Sequence, residues 1–231
     1  MLARTFPVAA IILTVTSVVV NAQTAEFQSA LKRGDALVAQ EKYREAIEEY
    51  GKVSSRGGDL YARAIYNTAV CYYELWQTED AIDFYKRAIE LKQGNYPRAS
   101  HALGVALEDQ GRTTEAKAAY EQAITASNRN FAPAIYKLGI LAAKGGDFAQ
   151  AAALFKEAAL RDGAHVAASH NNLGVMLAQL GFMKEAEKEF VIAIKMSRGG
   201  LGDAQHNLNL CRSLTAASVR QDYRIYKMSM N

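Results

Sequence analysis

Histidine and cysteine, the residues that most often bind metals or act in catalysis, are few in this chain. They are His101, His165, His170, His206, Cys71 and Cys211. A metal site on a helix needs ligands three or four residues apart on one face, and no histidine here has another histidine or a cysteine at that spacing. No serine, cysteine or histidine stands in a recognisable nucleophile context, and no glycine-rich phosphate loop follows a strand. We therefore predict no metal site, no cofactor and no catalytic residue.

The charge pattern argues against a nucleic-acid partner. The 231 residues include 27 Lys and Arg against 24 Asp and Glu, a formal charge of +3, whereas proteins that neutralise phosphates usually carry a basic stripe. Basic residues cluster only near the end of the chain, where Arg212, Arg220, Arg224 and Lys227 outnumber Asp222. We interpret residues 215–231 as a solvated basic tail.

The first 22 residues have the pattern of a secretory signal peptide. Arg4 precedes an apolar run over residues 6–20, and Val20-Asn21-Ala22 supplies the small residues that a signal peptidase reads. The run is about 15 residues long, shorter than the roughly 20 that a transmembrane helix needs. We expect cleavage after Ala22, a mature chain that begins at Gln23, and a secreted or periplasmic location. An uncleaved membrane anchor is the alternative.

A strict internal period organises the rest of the chain. One set of pairs, each an alanine followed four residues later by an aromatic residue, recurs five times at a fixed interval of 35 residues. The pairs are Ala46/Tyr50, Ala81/Tyr85, Ala116/Tyr120, Ala151/Phe155 and Ala186/Phe190. Twelve residues before these alanines stand the small residues Gly34, Ala69, Gly104, Gly139 and Gly174. Because two features keep one period independently, we infer tandem repeats.

Each repeat contains the pattern of two helices. Apolar residues recur at three- and four-residue steps, as at Leu103, Gly104 and Leu107, which is typical of an amphipathic helix. Between the two stripes lies a glycine-containing turn such as 110–112, where glycine can adopt the left-handed conformation that ends a helix. Short turns predict antiparallel pairs. The small residues let helices approach closely beside an aromatic side chain, and stacked pairs complete each other's core.

This pattern resembles the tetratricopeptide repeat. The best copies are Leu103-Gly104, Leu107, Gly111, Ala116, Tyr120, Ala123 and Leu173-Gly174, Leu177, Gly181, Ala186, Phe190, Ala193. The resemblance implies one all-α domain over residues 23–214, a right-handed superhelical solenoid of antiparallel helix pairs. Its repeats would span 27–60, 62–95, 97–130, 132–165 and 167–200, with a capping helix at 202–214. Arg33, Thr68 and Ala142 stand where the family favours a large apolar residue.

The two cysteines share one repeat position, next to the large apolar residue of repeats two and six. Four repeats would separate them by about eight helix layers of roughly 8 to 10 Å each, whereas a disulfide needs Cα atoms about 4.4 to 6.8 Å apart. We therefore expect Cys71 and Cys211 to be buried free thiols in the core.

In tetratricopeptide-repeat proteins the first helix of each repeat lines a concave groove that holds ligands. The resemblance implies that the outward positions of these helices form a peptide-binding surface, with a plain solvated face as the alternative for each residue. These residues are Arg63, Tyr66, Asn67, Tyr73, Arg98, His101, Tyr136, Lys137, Asn171, Asn172, His206 and Asn207. Leu31 and Asp35 replace residues of the carboxylate clamp found in chaperone-binding members. Ala102 and Lys137 interrupt an asparagine ladder similar to that of the O-linked N-acetylglucosamine transferase repeats.

We therefore predict a non-catalytic scaffold or adaptor that binds a protein or peptide segment in its groove. The mixed aromatic, basic and amide surface suits a partly acidic segment. We expect binding to depend on Tyr66, Asn67, Tyr136 and Lys137 together, without loss of stability when they are changed. Two alternatives stay open: a self-associating structural module of an envelope assembly, and an anchored protein whose repeats face the extracytoplasmic side.

Overall fold

The computed structural model describes residues 8–161, 163 and 165–217. This part of the chain contains eleven α-helices and one short 3-10 helix, and no strand. The α-helices are α1 (Val8–Val38), α2 (Tyr43–Gly51), α3 (Asp59–Glu74), α4 (Thr78–Leu91), α5 (Pro97–Asp109), α6 (Thr113–Ala126), α7 (Ala132–Lys144), α8 (Phe148–Ala159), α9 (Val166–Gln179), α10 (Met183–Met196) and α11 (Gly202–Ala217). The predicted all-α fold of five helix pairs and a final helix is confirmed.

The chain divides into two compact units, Met1–Gly94 (unit 1) and Asn95–Asn231 (unit 2). Unit 1 contains the pairs α1/α2 and α3/α4, with the 3-10 helix Ser55–Gly57 between them. Unit 2 contains the pairs α5/α6, α7/α8 and α9/α10, and α11 packs on the last pair. We call α1, α3, α5, α7, α9 and α11 the first helices and the others the second helices.

Local sequence sets the helix ends. Pro97 and Pro133 lie in the first turns of α5 and α7, where the N–H that proline lacks would have no helical partner. The turns inside the pairs all have a positive φ at the same repeat position: 72° at Gly111, 81° at Gly146 and 88° at Gly181. The next N–H then donates to a carbonyl five residues back in the first helix. The predicted left-handed turn glycines are confirmed.

Glycines on the first helices allow close packing of the second helices. A Cβ on Gly34 would lie 2.3 Å from Cε1 of Tyr50, and a Cβ on Gly104 would lie 2.4 Å from Cε1 of Tyr120. Gly139 with Phe155 and Gly174 with Phe190 repeat the arrangement at 2.8 and 2.6 Å. The aromatic ring therefore occupies the space that any side chain would need, which confirms the predicted role of the small residues.

The core consists of the repeating alanines and aromatic residues. All five alanines of the Ala/aromatic pairs are fully buried, and the aromatic residues are at most 3% exposed. Cys71 and Cys211 are fully buried as well, as predicted. Burial, with nearby carboxylates, raises the pKa of the Cys71 thiol to about 11.

The first helix α1 continues through the predicted cleavage point after Ala22. Among the described side chains the first buried one is Phe27, which belongs to the core of unit 1. The helix α11 extends to Ala217, whereas residues 1–7 and 218–231, which include the start of the predicted signal peptide and most of the predicted tail, lie outside the described residues. No helix in the described part of the chain is long and apolar enough to span a bilayer.

Candidate functional site

The predicted groove residues all lie on first helices. Unit 1 carries four of them on α3, and unit 2 carries the other eight on α5, α7, α9 and α11. The structure joins several of them through hydrogen bonds, but in a different way in each unit.

Asp35 on α1 is the centre of a polar cluster in unit 1. Its Oδ1 accepts hydrogen bonds from the Tyr50 hydroxyl at 2.8 Å and from Asn67 Nδ2 at 2.9 Å, and Arg63 Nη2 lies 2.5 Å from its Oδ2. The Arg63 and Asp35 side chains are 52% and 39% exposed, so this ion pair stabilises the fold by only about 0–1 kcal/mol. Burial and the hydrogen bond to Asp35 raise the pKa of Tyr50, which keeps its hydroxyl a donor.

Two tyrosines of α3 lie near Tyr85 of α4. The rings of Tyr66 and Tyr85 are 5.8 Å apart between centroids and tilted by 47°. Tyr66 and Tyr73 are half-buried, whereas Tyr85 belongs to the core. Burial, followed by the proximity of Tyr66 and Tyr73, raises the pKa of Tyr85. Unit 1 thus combines two partly exposed aromatic residues with an ordered arginine and amide.

The asparagines of unit 2 form a continuous chain of hydrogen bonds. Asn207 Nδ2 donates to Asn171 Oδ1 at 3.0 Å, and Asn171 Nδ2 donates to Asn172 Oδ1 at 3.1 Å. Asn172 Nδ2 then donates to the Tyr136 hydroxyl at 3.2 Å. This chain, which we call the amide ladder, links α7, α9 and α11. Leaving such buried groups without partners would cost about 1–3 kcal/mol each.

The prediction that these four residues face outwards is wrong, because all four side chains are fully buried. Tyr136 stacks on His165 with 4.8 Å between ring centroids and 15° between planes, and its ring centroid lies 5.6 Å from that of Phe155. The expectation that Tyr136 can be changed without loss of stability is wrong for the same reason. The amide ladder therefore holds α7, α9 and α11 together instead of presenting amides to a ligand.

Glu108 on α5 contacts two lysines and a tyrosine of unit 2. Its Oε1 lies 2.9 Å from Lys144 Nζ, and its Oε2 accepts a hydrogen bond from the Tyr120 hydroxyl at 3.0 Å and lies 3.8 Å from Lys137 Nζ. Burial alone would raise the pKa of Glu108, but Lys144, Lys137 and Tyr120 outweigh it and lower the pKa. Glu108 is therefore ionised and shared by two lysines.

Two histidines complete this surface of unit 2. His101 contacts the rings of Tyr120 and Phe131, at 5.7 and 5.6 Å between centroids. Burial, with the positive charge of Lys137, lowers the pKa of His101 to about 4 and also lowers the pKa of His165. Both imidazoles are therefore neutral near pH 7 and can both donate and accept a hydrogen bond. We call His101, Lys137, Lys144, Glu108 and His165 the unit 2 cluster.

The sequence prediction omits Asp35, Glu108 and His165 from the site, although all three shape the surface. A signal exists for the two acids, since each is charged at a repeat position that is apolar or aromatic elsewhere. The corresponding residues are Val70, Val105, Ile140 and Val175 for Asp35, and Val38, Tyr73, Ala143 and Ala178 for Glu108. A charge at such a position needs a partner nearby. His165 lies in the turn before α9 and shows no such signal.

Comparison with known protein families gives a match to the tetratricopeptide repeat over residues 31–96 and 136–205, and a second profile of the same repeat matches residues 97–130. The chain belongs to the tetratricopeptide-repeat family. Tetratricopeptide repeats generally serve protein–protein interaction rather than catalysis. Membership of this family therefore supports a general role in protein interaction. A comparison with curated protein sequences gives no significant match.

Several solved tetratricopeptide-repeat structures have a similar fold. The C-terminal part of a repeat protein from Cytophaga hutchinsonii is similar at a TM-score of 0.65 and 17% identity, over 84% of this chain and 74% of that one. MamA from Desulfovibrio magneticus RS-1 is similar at 0.60 and 16%, over 76% and 97% of the two chains. YrrB, described as a protein with an unusual peptide-binding site, is similar at 0.58 and 20%, over 77% and 89%. At these identities the likeness shows the fold alone.

The side chains of both surfaces can make ionic, aromatic and hydrogen-bond contacts with a ligand. The partly exposed groups are aromatic rings, ammonium and guanidinium groups, carboxylates and neutral imidazoles. The described residues contain no group of three or more His, Cys, Asp or Glu side chains arranged to hold a metal ion.

Proposed function

We propose that this protein is an exported, non-catalytic scaffold that holds a polypeptide segment of a partner protein, with the unit 2 cluster as its main contact. The observation that carries the proposal is the sharing of Glu108 by Lys137 and Lys144 beside His101 and His165. Two ammonium groups exceed the charge of one carboxylate, so the cluster is net basic and suits a partly acidic segment. The neutral imidazoles can bond the polar groups of an extended backbone.

Hydrogen bonds within the protein order these side chains before a partner binds. Lys144 and Tyr120 hold Glu108 in unit 2, and Asp35 holds Arg63 and Asn67 in unit 1. Ordering a flexible side chain on binding costs about 0.5–1.5 kcal/mol, so side chains that are already ordered bind with less loss. Unit 1 by itself presents the partly exposed aromatic rings of Tyr66 and Tyr73, a residue type that often anchors interfaces.

Export is proposed from the signal-like N-terminal pattern and is compatible with the burial pattern of α1. Asn21 and Ala22 are exposed, and Phe27 is the first buried residue among the described side chains. Cleavage after Ala22 would therefore leave the described core contacts of α1 in place. Mass spectrometry of the protein from an extracytoplasmic fraction should give Gln23 as the N-terminus. An intact Met1 in the membrane fraction would support the anchor instead.

Peptide selection on the full chain tests the binding function. Peptides selected from a random display library should be rich in Asp and Glu, and titration should give their affinities. The double variant Lys137→Ala/His101→Ala should weaken binding at least about tenfold, the equivalent of 1.4 kcal/mol. The matched control Lys184→Ala/Lys188→Ala changes two exposed lysines on the second helix α10 and should leave affinity unchanged.

Thermal melts of both double variants verify that they remain folded. Equal peptide affinity in the wild type and the Lys137→Ala/His101→Ala variant would refute the unit 2 cluster as the site. Binding that is instead lost on deletion of residues 215–231 would assign recognition to the basic tail.

A further inference from the structure

One repeat lacks the large side chain that fills the same position in the other four. The residues at this position, 35 apart, are Leu37, Tyr72, Leu107, Ala142 and Leu177. In repeat two the ring of Tyr72 packs against Phe84, with 5.1 Å between centroids. In repeat four the corresponding residues are Ala142 and Leu154. An alanine leaves open the space that a tyrosine or leucine fills elsewhere.

A pocket of about 460 Å³ lies at this place in unit 2. Leu138, Leu141, Ala142 and Leu154 supply apolar lining, and residues of α6 and of the α7–α8 turn complete the wall. The volume falls within the range of about 300–1,000 Å³ that holds small ligands, so a single large side chain can enter. Glu121 and Asp147 also line the pocket, and their carboxylates can accept a hydrogen bond. We call this space the Ala142 pocket.

Unit 1 carries a large apolar side chain that is almost fully exposed to solvent. Trp76 stands at the turn between α3 and α4 and is 92% exposed. Its φ is 60°, a left-handed conformation that is rare for bulky residues, whereas Gly111, Gly146 and Gly181 hold the same position in later repeats. Trp76 is thus a strained residue whose ring gains almost no burial within its own chain. Tryptophan is enriched among the residues that dominate binding energy at interfaces.

We propose that Trp76 of one copy of this chain inserts into the Ala142 pocket of a second copy. The ring and the pocket are complementary: one is an exposed indole with an N–H donor, and the other is a largely apolar space with hydrogen-bond acceptors in its lining. Each surface lies within a single unit, and neither belongs to the unit 2 cluster, so the inference does not rest on the proposed peptide binding. Because the two surfaces differ, the contact is heterologous and joins copies head to tail.

The sole tryptophan of the chain makes the contact directly measurable. We expect the mass of the full chain in sedimentation velocity to rise with concentration, and the Trp76 emission to shift to shorter wavelength in parallel, as the ring leaves water. A mass that stays monomeric at all concentrations, with the emission of a solvated indole, would overturn the proposal.

Two variants remove one surface each and should fold. Trp76→Gly introduces the residue that three later repeats hold at the same turn, and Ala142→Leu introduces the leucine of three other repeats. Each variant alone should associate at least about tenfold more weakly than the wild type. Association of either variant at wild-type strength, or a concentration-dependent emission shift in Ala142→Leu alone, would overturn the proposed contact.

Mixing the two variants provides the sharpest test. Trp76→Gly keeps the pocket and Ala142→Leu keeps the tryptophan, so one contact can form between them but cannot propagate. The mixture should give a one-to-one dimer at the affinity of the wild-type contact, with the emission shift restored. A mixture that stays monomeric while the wild type associates would refute the pairing of these two surfaces.

Discussion

Asn67 in unit 1 and Asn172 and Asn207 in unit 2 occupy the same repeat position, yet their surroundings differ. Asn67 is half-buried and donates to the charged Asp35 on the preceding first helix. Asn172 and Asn207 are fully buried and donate to uncharged oxygens of Tyr136 and Asn171. The same residue type at the same position is thus part of a surface in one unit and of the interior in the other.

The preceding repeat explains this difference. The repeat position of Asp35 is occupied by Ile140 before Asn172 and by Val175 before Asn207, and both apolar residues are 2% exposed. A carboxylate must remain at least partly solvated, whereas isoleucine and valine favour a dry contact, that is, a helix contact from which water is excluded. In a dry contact an amide needs another buried polar group as partner, and the neighbouring amides supply it.

Changing one tyrosine in each unit should give the largest difference in stability between a buried and a partly exposed position. Tyr136→Ala removes a fully buried ring that stacks on His165 and accepts from Asn172, so it should lower the free energy of unfolding by about 3–5 kcal/mol. Tyr66→Ala removes a half-buried ring and should cost much less. Urea unfolding followed by circular dichroism measures both. Equal losses would mean that Tyr136 is not interior.

Glycine substitutions test the helix contact that both units share. Gly34→Ala and Gly104→Ala place a Cβ against Tyr50 and Tyr120, and such overpacking should cost about 1–3 kcal/mol. Gly51→Ala, at the open end of α2, makes the same change where nothing lies within 4 Å. We expect lower melting temperatures for the first two variants and no decrease for the third. A decrease for Gly51→Ala alone would contradict the packing.

Removing one asparagine side chain from each unit compares the stability contribution of an interior amide with that of a surface amide. Asn171→Ala leaves Asn207 without its acceptor and Asn172 without its donor inside the ladder, so we expect a loss of about 1–3 kcal/mol. Asn67→Ala leaves a partly solvated Asp35 that keeps Tyr50 and Arg63, and should cost under about 1 kcal/mol. Chemical unfolding decides the order, and a greater loss for Asn67→Ala would reverse our assignment.

A further expected effect depends on pH and belongs to unit 2, since unit 1 contains no histidine. The pKa of His101 falls from its ordinary 6.5 to about 4 on folding, mainly through burial. Between these values the unfolded chain binds a proton that the folded protein does not, so stability falls as the pH falls.

His101→Gln should therefore flatten the decline in melting temperature between pH 6.5 and 4. His206→Gln, which changes an exposed imidazole on α11, should retain the wild-type decline. If the melting temperatures of the wild type and His101→Gln fall by the same amount between pH 6.5 and 4, His101 is not the group responsible for the decline.

Most of the fold could be predicted from the sequence, whereas only part of the surface could. Helix pairing, the glycine–aromatic contacts and the burial of Cys71 could be predicted from the position of each residue within the 35-residue repeat. The role of Glu108 does not, because it depends on Lys137 and Lys144 from the next first helix. The open space at Ala142 was visible as a departure from the pattern, but its size as a pocket was not.

The sequence by itself determined what depends on residues close together in the chain. Examples are the left-handed turn at Gly111, where glycine has no Cβ to clash, and the packing of the aromatic residue on a glycine of its own repeat in four of the five repeats. Only the tertiary structure decided which polar residues of the first helices reach solvent. Asn172 meets Tyr136, and Asn207 meets Asn171, across 36 residues of chain in each case. Exposure at these positions is set by the neighbouring helix, because burial and hydrogen bonding depend on what packs against a side chain and not on its own type.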